Sequence, residues 1–291
     1  AARVFRLNEA DGQWVQAGQD LVGIQADDWA GRSVAVSADG NMVAMGAVEV
    51  NPVGRVGYVL VFEWNATASL WQQHGSLLRG EENDGFAFGF DVDLSADGAV
   101  LAVGDYRHSN EMTGNNAGQV QVYEWSVSDE DWEVRGAVYG RESSDWFGWS
   151  LSLTPDGLTL AVGATQDSVD KGGYAAVYKW DEVAGAWEQI GERIRIAPFR
   201  EVFGHDVSIS STGILVTSDH RYGLFSSKAE REKNTGRVQA WKFDGAAWES
   251  IEQVDGTRQG DFFGRSISVS ADGTAFASGA PGNDDNGIGS G

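Results

Sequence analysis

Apolar and polar positions alternate with a period of two in short runs along the whole chain, the period that puts successive side chains on opposite faces of a β-strand. The clearest run occurs five times. Val34/Val36, Val92/Leu94, Leu151/Leu153, Val207/Ile209 and Ile267/Val269 make its bulky face. Ser33/Ala35, Asp91/Asp93, Ser150/Ser152, Asp206/Ser208 and Ser266/Ser268 make its small, polar face. A strand of this kind suits the innermost position of a blade, where neighbouring sheets converge. Each run is followed by SADG, SADG, TPDG, SSTG or SADG, turns whose glycine supplies the positive φ of a tight reversal.

After the turn comes a second run of the LAVGA type, and then a third: GYVLVFEW from Gly57, GQVQVYEW from Gly118, GYAAVYKW from Gly173 and GRVQAWKF from Gly236. A fourth begins at Trp71, Trp132, Trp187 and Trp248, and the N-terminal ARVFRLNEADGQW, ending at Trp14, copies this third-and-fourth pair. The glycine that opens each repeat falls at Gly31, Gly89, Gly148, Gly204 and Gly264, so a repeat of roughly 58 residues fills positions 1–291 as a single domain. Four antiparallel strands repeated radially predict an all-β fold, a β-propeller of five blades. The terminal GIGSG and the initial AARVFRL join to match NTGRVQAWKF, which predicts a closing blade shared between the two ends.

Composition narrows the function. With 43 acidic against 21 basic residues the formal net charge is −22, which excludes a phosphate-tracking surface and so a nucleic-acid partner. No apolar stretch reaches the length of a spanning helix, so direct membrane insertion is not expected. The absence of cysteine removes disulfides, thiolate metal sites and cysteine nucleophiles. The four histidines form no HExxH motif, and no G-x-S-x-G elbow or phosphate loop is present, so no cofactor is expected.

The Phe263-Gly264 pair followed by Gly279-Ala280-Pro281, with Phe-Gly again at 88–89, 147–148 and 203–204, resembles the FG-GAP repeat of integrin-α-like propellers. The resemblance implies a non-catalytic extracellular or cell-surface module for adhesion or assembly, with a protein or glycan partner. Seven blades and D-x-D-x-D-G calcium loops belong to that family, whereas this chain carries five repeats. Its turns between the first two strands are too short and too poor in carboxylates to wrap calcium. Asn283-Asp284-Asp285-Asn286-Gly287 opens like a calcium loop but lacks the later bidentate carboxylate, leaving Asp284 and Asp285 as weak metal candidates.

The face that carries the connections from second to third strand and from fourth strand to the next first strand is the expected binding surface, with the variable loops between second and third strands as its main feature. Two share a pattern, Asp105-Tyr106-Arg107-His108 and Asp219-His220-Arg221-Tyr222, an arginine fork between rings that could hold an acidic or sugar-like partner. The competing reading is that each arginine pairs with its local aspartate and closes the loop. The five recurrent tryptophans, Trp14, Trp71, Trp132, Trp187 and Trp248, are expected to pack between blades rather than to hold sugars. Trp29 and Trp146 remain ligand candidates. A propeller lectin with aromatic sugar sites is one alternative. A glycoside-acting enzyme is another, with Asp91, Asp93 and Asp206 able to supply its pair of carboxylates. Asn65-Ala66-Thr67 is a glycosylation sequon in the loop between third and fourth strands, and it favours an extracellular setting.

Overall fold

The computed structural model describes residues 1–48, 56–81, 87–109, 111–166, 172–196, 202–223, 234–284 and 287. Among them there is no helix, and every strand pairing is antiparallel except for isolated bridges. The chain folds as a β-propeller. A leading hairpin, β1 (Phe5–Asn8) and β2 (Gln13–Gln16), precedes the first blade. That blade runs β3 (Ser33–Val36), β4 (Met42–Ala47), β5 (Tyr58–Asn65) and β6 (Leu70–Gln73), with β7 (Leu78–Arg79) also paired to β5.

The second blade is β8 (Val92–Leu94), β9 (Val100–Asp105), β10 (Gln119–Ser126) and β11 (Asp131–Tyr139). The third is β12 (Phe147–Leu153), β13 (Thr159–Ala164), β14 (Tyr174–Asp181) and β15 (Ala186–Gln189). The fourth is β16 (Val207–Ile209), β17 (Ile214–Asp219), β18 (Arg237–Phe243) and β19 (Trp248–Asp255). A trailing hairpin, β20 (Ile267–Val269) and β21 (Phe276–Ser278), ends the described chain.

The alternation in sequence becomes blade-on-blade packing. From the second blade onward the bulky face of the inner strand lies on the preceding sheet, as Val92 and Leu94 do in a cluster with Ala44, Val59 and Val61. The small polar face carries the opposite contact. Asp91 and Asp93 accept hydrogen bonds from the backbone N–H groups of Leu151 (2.9 Å) and Leu153 (2.8 Å) in the next inner strand. Ser152 accepts from Ile209, Asp206 from Ile267 and Ser208 from Val269. A short acceptor on each inner strand therefore satisfies donors that the next sheet leaves unpaired.

Glycine makes the close approach possible. The opening glycines all have positive φ, between 77° at Gly204 and 88° at Gly31 and Gly264. Their carbonyls press onto the preceding blade, where a Cβ built on Gly46, Gly104 or Gly163 would lie 2.0–2.4 Å from the carbonyl oxygen of Gly89, Gly148 or Gly204. The Phe-Gly and Gly-Ala signatures are thus two sides of one interface between repeats.

Of the shared closing blade predicted from the two ends, residues 288–291 lie outside the described residues, and among the described residues the two ends are not paired. β1 pairs only with β2, and β21 only with β20, as separate two-stranded sheets. The packing predicted for the recurrent tryptophans also divides. Trp71 and Trp132 are buried and donate their indole N–H to the carbonyls of Ala17 and His74, each just past the preceding outer strand, and Trp248, half-buried, donates to Ile190. Trp187 packs beside Gly136. Trp14 is exposed, because no earlier sheet stands against it.

Candidate functional site

One face of the propeller carries the turns between first and second strands, and it is nearly invariant. Ser37, Ser95, Thr154 and Ser270 each donate to the aspartate two residues on (Asp39, Asp97, Asp156, Asp272) at 2.6 Å. The same geometry repeated with the same side chains leaves little that one ligand could distinguish. Asn65 lies on this face at the end of β5. Its Oδ1 accepts from Ala68, and its Nδ2 donates to Gln72 at 3.1 Å.

The opposite face carries the connections into each opening glycine, and three of them, those before Gly31, Gly148 and Gly264, share one backbone arrangement. Buried Asp28, Asp145 and Asp261 accept N–H groups from Gln25, from Arg141 and Glu142, and from Arg258, which zips each connection shut. The phenol hydroxyls of Tyr58 and Tyr174 donate to Asp28 and Asp145. The following residue is forced to positive φ at Trp29 (46°), Trp146 (54°) and Phe262 (53°), a conformation bulky residues seldom adopt.

On this frame the residue after each opening glycine varies between arginine and a ring: Arg32, Phe90, Trp149, His205 and Arg265. These side chains join a continuous set of rings. Arg32 lies over Phe90 at 4.1 Å, and Phe90 packs on Trp149 at 4.7 Å and on Tyr106 at 4.6 Å. Trp149 stacks on Trp146, 5.6 Å apart and 12° from parallel, and reaches His205 at 6.1 Å. His205 meets His220 at 4.0 Å, and His220 meets Phe262 at 6.2 Å. A cleft of about 440 Å³ opens where Trp146, Trp149, His205, His220, Arg221 and Arg265 meet.

Burial depresses both imidazoles, His205 to about 3 and His220 to about 4, with the neighbouring arginines pushing in the same direction. Both are therefore neutral at physiological pH. The Arg265 guanidinium donates to His205 Nε2, which fixes the His205 proton on Nδ1.

The two aspartate-arginine loops contribute unequally. Asp105 and Asp219 are buried and accept the backbone N–H of Arg107 and Arg221, so each aspartate closes its loop through the main chain. Tyr106, His108 and Tyr222 are buried. Arg107 Nε donates to the Tyr106 hydroxyl at 3.0 Å, and Arg237 lies over the Tyr222 ring at 3.4 Å. His220 and Arg221 reach the cleft, as does Trp146, whereas Trp29 stands exposed apart from it.

The carboxylates considered for glycoside chemistry are tied to the frame. Asp91 and Asp93 each engage one oxygen with their own strand and the other with the next blade. Burial pushes Asp91 up to about 8 and Asp93 and Asp206 up to about 6. Asp284 is exposed and Asp285 lies outside the described residues. Among the described residues no group of three or more acidic or histidine side chains is arranged to hold a metal.

The residue after the opening glycine carries the site, and sequence reasoning passed over it. Its signal was available as a position directly after the motif glycine that carries arginine or a ring in every repeat.

No protein-family model matches the chain, and no curated protein matches it. Among solved structures it is similar to the crystal structure of Sqt1 from Saccharomyces cerevisiae, with 15% identity and a TM-score of 0.54. The match covers 94% of this chain and 63% of that one, so the chain spans under two thirds of the length of the protein it resembles. The likeness is one of fold, the β-propeller.

Proposed function

We propose that this chain is a non-catalytic interaction module, an FG-GAP-like propeller that engages a protein partner at an extracellular or cell surface. The observation that carries the reading is the contrast between faces. One repeats the same turn, while the other presents Arg32, Phe90, Trp149, His205 and Arg265 from a single backbone position. Aromatic residues and arginine are the types enriched where proteins bind one another, and variable side chains on an invariant scaffold allow recognition without disturbing the fold. The tied inner aspartates favour a binding module over hydrolytic chemistry. Asn65, in a sequon on the opposite face, would carry a glycan clear of the partner.

The test is partner capture from the native source with two sets of variants. Phe90→Ala and Trp149→Ala on the variable face should reduce capture at least tenfold, and Asp39→Lys and Asp97→Lys on the uniform face should not. The reverse ranking refutes the reading. Intact mass of secreted protein, before and after glycosidase treatment, reports on Asn65.

A further inference from the structure

Two guanidinium groups, those of Arg221 and Arg265, stand exposed at the rim of the 440 Å³ cleft. Among the described residues no carboxylate lines it. In a chain with 43 acidic and 21 basic residues, two arginines facing one cleft without an acidic neighbour are conspicuous. Arg221 has no side-chain partner among the described residues, and Arg265 is held only against a neutral imidazole.

Three residues that line the cleft also carry buried polar atoms without partners. Thr165 Oγ1, on a side chain 2% exposed, makes no hydrogen bond. Nor does His220 Nδ1, on a residue 7% exposed. His205 Nδ1 is likewise unpaired, and it bears a proton because Nε2 accepts from Arg265. Buried polar atoms left unmatched are costly to a fold and persist where a ligand group or water completes them. One wall is the Trp146–Trp149 stack and another is Phe262, so an apolar body can lie beside the polar floor.

We infer that this cleft is a carboxylate site that receives an acidic side chain from an extended segment of the protein partner, with an adjacent apolar residue stacked on Trp146 and Trp149. The arginine fork matches the planar carboxylate, and the paired indoles offer a stacking face to the adjacent apolar residue. This assignment rests on the variable face being the interaction face.

The probes are the peptides acetyl-Phe-Glu-Phe-amide and acetyl-Phe-Gln-Phe-amide, and free glucuronate, titrated into the whole chain labelled with ¹⁵N. The indole signals of Trp146 and Trp149 are the readout. The glutamate peptide should bind at least tenfold more tightly than the glutamine peptide and shift both indoles. Arg221→Ala and Arg265→Ala should abolish that preference, Arg221→Lys should restore part of it, and Trp14→Ala should leave it unchanged. Unchanged melting of each variant checks the fold.

Equal binding of the two peptides overturns the carboxylate assignment, even where Trp149→Ala still loses the partner and the face reading stands. Tighter binding by glucuronate than by the glutamate peptide overturns the peptide assignment in favour of an acidic glycan. Glutamate preference that survives both arginine-to-alanine variants places the site elsewhere and overturns the proposal.

Discussion

The second and third blades, the inner strand of the first blade and the two terminal hairpins are built from the same repeat, yet identical positions do different work in them. Val92, Leu94, Leu151 and Leu153 are buried beneath the preceding sheet, whereas Val34 and Val36 in β3 are each 57% exposed. Trp132 is 7% exposed and hydrogen-bonded across the interface, whereas Trp14 in β2 is 68% exposed. The motif does not confer burial; the neighbouring repeat does. Stability in such an array is a sum of weak repeats and strong interfaces between them. A conserved-looking residue therefore counts only where its neighbour is in place.

The sharpest test of this contrast uses glycine. Replacing Gly163 with alanine would put Cβ 2.0 Å from the Gly204 carbonyl oxygen, part of a backbone that cannot swing away. The blades must part or the chain must misfold, and a loss of roughly 3 kcal/mol or more is expected. Gly279 holds the same repeat position in the trailing hairpin, and its nearest foreign atom would be 3.8 Å from a Cβ. Gly279→Ala should be close to neutral. Denaturant midpoints of the two variants decide it, and equal losses would show that position in the repeat matters more than the neighbour.

Tryptophan gives the next largest effect. Trp132→Ala removes a buried ring and the hydrogen bond to His74, at an expected cost of about 3–5 kcal/mol. Trp14→Ala should stay within about 0.5 kcal/mol. A large loss at Trp14 would mean that in solution the leading hairpin finds the neighbour that the sequence reading assigned to it, the trailing hairpin. Slow hydrogen exchange along Phe5–Asn8 would report the same event independently.

The β-periodicity, the turns and the four-strand repeat were legible because each is local. Alternation, glycine and the Ser-x-Asp-Gly signal act within a few residues. The inner position of the first strand was legible too, since only small polar groups fit where sheets converge. The ties from Asp91 and Asp93 to Leu151 and Leu153 were not, because they join residues 60 apart that only the fold brings together. The candidate cleft was partly legible. His220 and Arg221 stood out in a variable loop and Trp146 as a tryptophan not kept in every repeat, but the loop pattern also selected Tyr106, His108 and Tyr222, which are buried. Local chemistry alone does not tell an aromatic residue that faces the cleft from one that packs beneath it. Trp149, His205 and Arg265 escaped notice because each, viewed singly, is only the residue that follows a motif.

The smallest effect concerns charge on the inner strands, where Asp91 does in the second blade what Ser152 does in the third. Both accept a backbone N–H from the following blade, but only Asp91 must also bury a carboxylate. Its pKa is pushed up to about 8, chiefly by burial and further by Asp206 and Asp93, against about 3.9 in an unfolded chain. Between those limits the folded state holds a proton that the unfolded state has released. This group therefore makes stability fall as pH rises from about 4 to about 8 and adds no slope beyond. His205 and His220 act in the other direction: their lowered pKa values make stability fall as pH drops below about 6.5. Asp91→Asn keeps an acceptor for the Leu151 N–H and removes the titration. Relative to the parent, the variant should gain with pH and be on the order of 1 kcal/mol the more stable by pH 8, with little advantage at pH 4. Paired urea titrations at pH 4, 6 and 8 measure this directly. Serine carries the tie without charge at position 152, so Asp91→Ser should follow the same pH trend; an advantage independent of pH for both variants would place the cost of Asp91 in packing rather than in its charge.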